Sequence, residues 1–228
     1  MTLSPDELNA IWLSLRVALW AVAMGLIPAT LCALLLARCR FRGKTLLDAL
    51  IHLPLVVPPV VTGYLLIIVL GRNTAVGKLF EAIGLQFAFT WKGAVLASLV
   101  MSFPLMVRAI RLSIEAVDRG LEAAARTLGA GRLRIFLTIT LPLSVPGIIT
   151  GSVLGFARSL GEFGATITFV SNIPGETQTL PLALYTFTQT PGGEAMAARL
   201  CLVAIAISLA ALACSEVIAR RAAKRISG

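Results

Sequence analysis

Arg158 and Glu162 stand four positions apart at the end of an apolar run, in Ala157-Arg158-Ser159-Leu160-Gly161-Glu162-Phe163-Gly164-Ala165-Thr166. On a helix that spacing lets a guanidinium and a carboxylate pair on one face, which is a structural use. Ionisable groups near membrane depth are also costly enough to mark a transport route, which is a functional one. Both readings stay open, with Glu162, Phe163, Gly164 and Thr166 as candidate gate residues. The other chemistry-bearing patterns reduce quickly. Gly71-Arg72-Asn73-Thr74-Ala75-Val76-Gly77-Lys78-Leu79 comes nearest to a phosphate-binding loop. It has five residues between the glycines instead of four, and Leu where Ser or Thr would bind magnesium. Gly43-Lys44-Thr45 lacks a glycine at position 38. Cys32, Cys201 and Cys214 lie in apolar runs, Cys39 at the end of one, and His52 is the only histidine. Neither a disulfide framework nor a metal site is expected from them. The chain is expected to hold no catalytic residue, no metal and no cofactor.

The elements that position these residues are membrane helices. Of 228 residues 57% are hydrophobic and 14% charged, and the mean hydropathy is +0.90. Spanning a bilayer takes roughly 20 mostly apolar residues. Five stretches qualify, at about 11–37, 46–70, 91–109, 135–160 and 195–219. They are too long and too uniformly apolar for the alternating strands of a barrel. The expected fold is an all-α integral membrane protein, a single domain over 1–228 with no linker and no repeat.

A net charge of +9 invites a nucleic-acid reading, but the positions of the charges argue for topology. Arg38, Arg40, Arg42 and Lys44 follow the first span, six arginines lie between Arg108 and Arg134, and Arg220, Arg221, Lys224 and Arg225 follow the fifth. The positive-inside rule places these segments in the cytoplasm, with the N-terminus, the 71–90 loop and the 161–194 loop outside. Ser4-Pro5-Asp6-Glu7 reads as a capped helix start. Acidic rather than basic residues precede the first span, so a cleavable leader is not expected.

Helix breakers cluster in the second and fourth spans: Pro54, Pro58, Pro59 and Gly63, then Pro142, Pro146, Gly147, Gly151 and Gly155. Kinked packing accounts for most of them. Pro58-Pro59 removes two amide donors and frees carbonyls, which membrane depth tolerates against protein or a wet cavity. Pro58, Pro59, Thr62 and Gly63 are therefore candidates for the pathway. Hydroxyls such as Thr62, Thr150, Ser152, Ser159 and Thr166 could pass an anion weakly.

The loop at 110–134 carries a short amphipathic helix, expected over Val117–Gly131. Val117, Leu121, Ala124 and Leu128 share one face, while Arg119, Glu122 and Arg126 point elsewhere. Asp118 can cap its start, and Gly129 and Gly131 can supply a left-handed turn at its end. The small residues Ala123 and Ala124 let another surface approach. Such a helix can act as a lever, with Leu141-Pro142 marking the bend of the fourth span.

Glu122-Ala123-Ala124-Ala125-Arg126-Thr127-Leu128-Gly129, then nine residues, then Ile139-Thr140-Leu141-Pro142, resembles the coupling loop of ABC-importer permeases. That pattern reads Glu-Ala-Ala, three residues, Gly, nine residues, Ile, any residue, Leu-Pro. Aligned on Gly129, the positions Ile139, Leu141 and Pro142 fall in register, whereas Ala123 takes the usual Glu position and Glu122 sits one residue early. With Leu53-Pro54-Leu55-Val56-Val57-Pro58-Pro59 and Gly161-Glu162-Phe163-Gly164-Ala165, the chain from Leu13 to Ala219 is similar to the molybdate-type permease family. The resemblance implies a type I importer core acting as a homodimer in a bacterial inner membrane. It implies two ATPase subunits on the cytoplasmic side, which bind the ATP and magnesium, and an oxyanion receptor on the exterior. Molybdate is the expected cargo, with tungstate and sulfate or thiosulfate as close alternatives. A secondary transporter driven by an ion gradient would lead one to expect an internal repeat and buried carboxylates or histidines at mid-membrane. A passive membrane anchor would have no use for the proline-rich second span.

Overall fold

The computed structural model describes residues 3–227, and beyond Cys214 only the side chain of Val217. The basic residues at 220–225, expected to mark a cytoplasmic end, lie outside the described side chains. In chain order the helices are α1 (Pro5–Arg38), α2 (Lys44–Val56), α3 (Pro59–Leu70), α4 (Ala75–Ala82), α5 (Trp91–Ala116), α6 (Arg119–Thr127), α7 (Arg132–Ile135), a π-helical turn (Phe136–Thr140), α8 (Leu141–Leu160), α9 (Gly164–Val170), α10 (Leu180–Gln189) and α11 (Glu194–Ser227). Four helical runs are long and apolar enough to cross a membrane: α1, α5, the run Arg132–Leu160, and α11 as far as Cys214.

The second apolar stretch is not a straight span. It breaks at Val57-Pro58 into α2 and α3, whose axes are bent by 115°. Two prolines in succession leave no amide to continue the helical ladder, and Pro59 restarts it from the first helical position. The two halves grip opposite ends of the central helix. Ile51 of α2 packs with Val107, Ile110 and Ile114 of α5, while Leu66, Ile67 and Leu70 of α3 pack with Ala94, Val95 and Ala97. The pair thus traverses the bundle as one broken pass, the fifth.

Helix α5 is the axis of the bundle, and glycines let its neighbours close on it. Gly147, Gly151 and Gly155 recur every fourth residue on α8. A Cβ on Gly147 would stand 2.1 Å from the Ser113 Cβ, one on Gly155 2.7 Å from Met106, and one on Gly25 of α1 2.5 Å from Leu99. Between membrane helices small residues substitute backbone contact for side-chain bulk. Gly147→Leu is therefore expected to force α8 off α5 at a cost of about 1–3 kcal/mol or more. A thermal-unfolding midpoint in detergent equal to that of the parent chain would contradict this packing account.

At the other end of α1, Ser4 and Glu7 form a capping box, with Glu7 N–H donating to Ser4 Oγ at 3.3 Å and Ser4 N–H to Glu7 Oε2 at 2.6 Å. The Glu7 side chain is fully buried and also accepts two bonds from Arg199 of α11, at 2.9 and 3.2 Å. The first and last helices are joined there by a bidentate ion pair.

The 161–194 segment, placed outside from the charge pattern, is more than a connecting loop. It folds into α9 and α10, and Phe169, Val170, Leu180, Leu182 and Ala183 are fully or almost fully buried. Ser14 Oγ of α1 accepts the Leu180 N–H at 2.6 Å, fixing the start of α10. The apolar pieces 163–170 and 180–184 are too short to register as spans, yet long enough to fill the bundle end.

Candidate functional site

The inter-span helix α6 is shorter than expected, Arg119–Thr127 rather than 117–131. Asp118 caps it, its carboxylate accepting the Gly120 N–H at 2.7 Å. Gly129 ends it in the left-handed region with φ +84°, where glycine carries no steric penalty. Gly131 does not join that turn. Its φ is −70° and it precedes α7 instead.

The apolar row divides in two. Val117 is buried in the core, whereas Leu121 is 49% and Leu128 88% exposed, and Ala123 and Ala124 are exposed with them. An isolated soluble helix would turn such residues inward. Here they form a small-residue apolar face directed away from the bundle. Glu122 turns the other way. Its carboxylate lies 3.0 Å from Arg38 Nη2 at the end of α1 and accepts the Thr140 hydroxyl at 2.8 Å. The same Arg38 Nη2 donates to the Val117 carbonyl at 3.0 Å. Glu122 is therefore a strut that ties the helix to α1 and to the residue between Ile139 and Leu141. Neither Arg38, read from sequence as a topological charge, nor Thr140 was singled out there. A lone arginine ending a span has no distinguishing spacing.

The distortion of the fourth span falls just ahead of Leu141-Pro142, not at it. The Leu141 N–H reaches back five residues to the Phe136 carbonyl. Pro142 has no N–H and its ring crowds the carbonyl four residues earlier, so the preceding turn widens to π geometry. This turn contains Ile139 and Thr140 and ends one residue ahead of Leu141, so strut and distortion meet.

The second group of candidates also converges. Helix α9 crosses α3 so closely that a Cβ on Gly63 would be 2.6 Å from the Ala165 carbonyl oxygen, and one on Gly164 2.8 Å from Pro59 Cβ. Thr62 is buried beside this crossing. Gly164 is packed because α3 needs its missing side chain. Glu162 is buried, accepts the Ala165 N–H at 2.7 Å at the start of α9 and pairs with Arg158. Thr166 is buried with its hydroxyl donating to the Phe163 carbonyl at 2.9 Å, and the Phe163 ring stacks at a tilt on Tyr185 at 5.4 Å. Pro58 remains exposed at the break. The hydroxyls of Thr150, Ser152 and Ser159 each donate to a backbone carbonyl. Glu162→Gln keeps an oxygen for the Ala165 cap but removes the charge facing Arg158. It is expected to alter transport or basal ATP hydrolysis by about tenfold, the weight of one charge-assisted bond. No change in either would leave the pair a purely structural one.

No group of three metal-ligating side chains occurs among the described residues. In the 71–79 segment Lys78 lies within α4, and the Thr74 hydroxyl caps that helix by accepting the Gly77 N–H at 2.9 Å.

Four passes around a central fifth, with one short capped helix held outward on an inter-span loop, form the fold of an ABC-transporter membrane subunit. A methionine ABC transporter, MetNI in inward-facing conformations, superposes with a TM-score of 0.75 over 94% of this chain and 95% of that one, at 14% identity. The chain belongs to the family of binding-protein-dependent transport system inner membrane components, which it matches over residues 23–228. It is 61% identical to the molybdenum transport system permease protein ModB of Escherichia coli (strain K12), over 226 residues and 99% of each chain. It is 60% identical to ModB of Haemophilus influenzae, over 221 residues and 96% of each chain.

Proposed function

We propose that this chain is the permease subunit of an ATP-driven importer that moves molybdate, delivered by a binding protein outside the membrane, into the cell. The observation that carries the importer reading is the outward apolar face of α6, braced from behind by Glu122 on Arg38 and Thr140. A face held rigidly toward the partner side can transmit a push, and a helix free to swing cannot. Near-complete coverage at 61% identity to a molybdenum permease supports the cargo.

In this reading two copies line the pathway between them, and each engages one ATPase subunit through Leu121, Ala123, Ala124 and Leu128. ATP and magnesium are held by that partner, so the chain itself is not an enzyme. It is multi-pass in the bacterial inner membrane, with the N-terminus outside and the C-terminus in the cytoplasm, a topology that the alternation of basic loops supports. Closure of the ATPase pair moves α6, the strut carries the motion to α1 and the π turn, and α8 moves with them. The region where α3 crosses α9, around Pro59, Gly63 and Gly164, serves as the gate. Two states with different contacts suffice, and no bond is made or broken in this chain.

An ion-driven carrier needs titratable groups free to load and release protons or cations at depth. The carboxylates of Glu7 and Glu162, the buried acids among the described residues, are each paired with an arginine.

The test is uptake into vesicles that hold this chain with its ATPase, with the receptor loaded in turn with molybdate, tungstate or sulfate. Uptake of molybdate and tungstate but not sulfate is expected. Sulfate uptake would reassign the cargo, and uptake without ATP dependence would overturn the importer reading.

A further inference from the structure

Behind α6, on the side away from Leu121 and Leu128, lies an open cleft of about 790 Å³ between the end of α1, α6 and α7. Arg38, Arg40, Arg126 and Arg132 line it, with Glu122 as the one carboxylate. Glu122 is already engaged by Arg38. Among the described residues no ion pair or side-chain hydrogen bond reaches Arg40, Arg126 or Arg132. Arg38 itself keeps two buried donors, Nε and Nη1, without any partner. Leu34, Ile135 and Phe136 add an apolar strip to the wall, beside Cys39, Ala130, Gly131 and Thr140.

The positive-inside bias explains why this end of the molecule is basic. It does not explain why four guanidiniums converge on one cleft, since solvated arginines anywhere on the loops would serve the same bias. Arg38 is mostly buried with two unmet donors, while Arg40, Arg126 and Arg132 are exposed around it; guanidiniums gathered on one cleft repel one another and favour an anion whose oxygens can take several N–H bonds at once. A phosphate does this. The adjoining apolar strip suits the glycerol and first methylenes of a lipid, and basic pockets between helices at the cytoplasmic leaflet are a recurrent headgroup site.

We infer that this cleft binds the phosphate of an anionic phospholipid of the cytoplasmic leaflet, which wedges behind the coupling helix and braces the Arg38–Glu122 strut. A free oxyanion would satisfy the arginines but leave the apolar strip in contact with water. The inference rests on the cytoplasmic placement of this end in the proposed function and not on the identity of the cargo.

The experiment is native mass spectrometry of the complete permease–ATPase complex, after exchange into nanodiscs of phosphatidylcholine containing a minor fraction of phosphatidylglycerol. The parent complex is expected to retain phosphatidylglycerol. The variant Arg40→Gln, Arg126→Gln, Arg132→Gln is expected to lose affinity for it on the order of a hundredfold, roughly a factor of five per cation. The charge-conserving variant with lysine at the same positions should retain it, which separates charge from folding. Retention of the lipid by the glutamine variant would overturn the proposal. So would displacement of the lipid by millimolar inorganic phosphate or molybdate, which would make the cleft a free-oxyanion site. Loss of the ATPase subunits from the glutamine variant would show instead that the arginines contact the partner. Because lipid retention is read separately from uptake, a failure here leaves the transport result standing, and a failed uptake assay leaves the lipid result readable.

Discussion

Replacing Glu122 with alanine is expected to uncouple the transporter: the chain still inserts and the complex still hydrolyses ATP, but uptake falls on the order of a hundredfold. The Glu122 and Arg38 side chains are only 13% and 14% exposed. Removing one partner of a mostly buried pair leaves the other charge without compensation and costs about 3 kcal/mol or more, which converts to that factor in the population of the braced helix. Thr140 loses its acceptor in the same step. The double variant Arg38→Met, Glu122→Ala tells bracing from direct contact. If Glu122 acts as a strut, deleting both charges removes the orphan and restores part of the uptake, a coupling readable as a double-mutant cycle. If the double variant is as inactive as the single one, Glu122 touches the ATPase itself and the bracing account fails.

The second large effect belongs to Gly129. A Cβ placed there meets nothing within 4 Å, so space is not the constraint. The constraint is the φ of +84°, a conformation that a β-branched residue avoids at a cost of at least about 1–2 kcal/mol. Gly129→Val is expected to lower ATP-coupled uptake by tenfold or more with insertion intact, whereas Gly129→Asn, which tolerates the left-handed region, stays near the parent rate. Equal uptake for the valine and asparagine variants would remove α6 from the coupling role.

The helical class and the number of passes were legible in the sequence because membrane helices announce themselves by length and composition. Asp118 and Gly129 were legible for a related reason, since caps are set by local backbone chemistry. The direction of Glu122 was not. Periodicity placed it off the Leu121 and Leu128 face, but whether that side meets solvent or the end of α1 depends on Arg38, more than eighty positions away in the chain. The Pro58-Pro59 break was visible, while its 115° bend and the crossing with α9 were not, the crossing depending on Gly63 closing on Ala165 and Gly164 closing on Pro59. The burial of α9 and α10 was missed because runs shorter than a span look like turns when they lie among glycines and prolines. Only the surrounding bundle makes them core.

The ion pair between Glu7 and Arg199 has a consequence for how the molecule is made. Its partners are separated by 192 positions, and a membrane protein is threaded into the bilayer from its N-terminus onward. Glu7 is therefore in place long before the ribosome reaches Arg199, and until α11 arrives its carboxylate has only the Ser4 cap. A nascent or truncated chain presents that unmatched acid at the outer edge of the bundle, and synthesis of the last helix neutralises it. The bond between α1 and α11 thus forms only after synthesis has passed the first turns of α11.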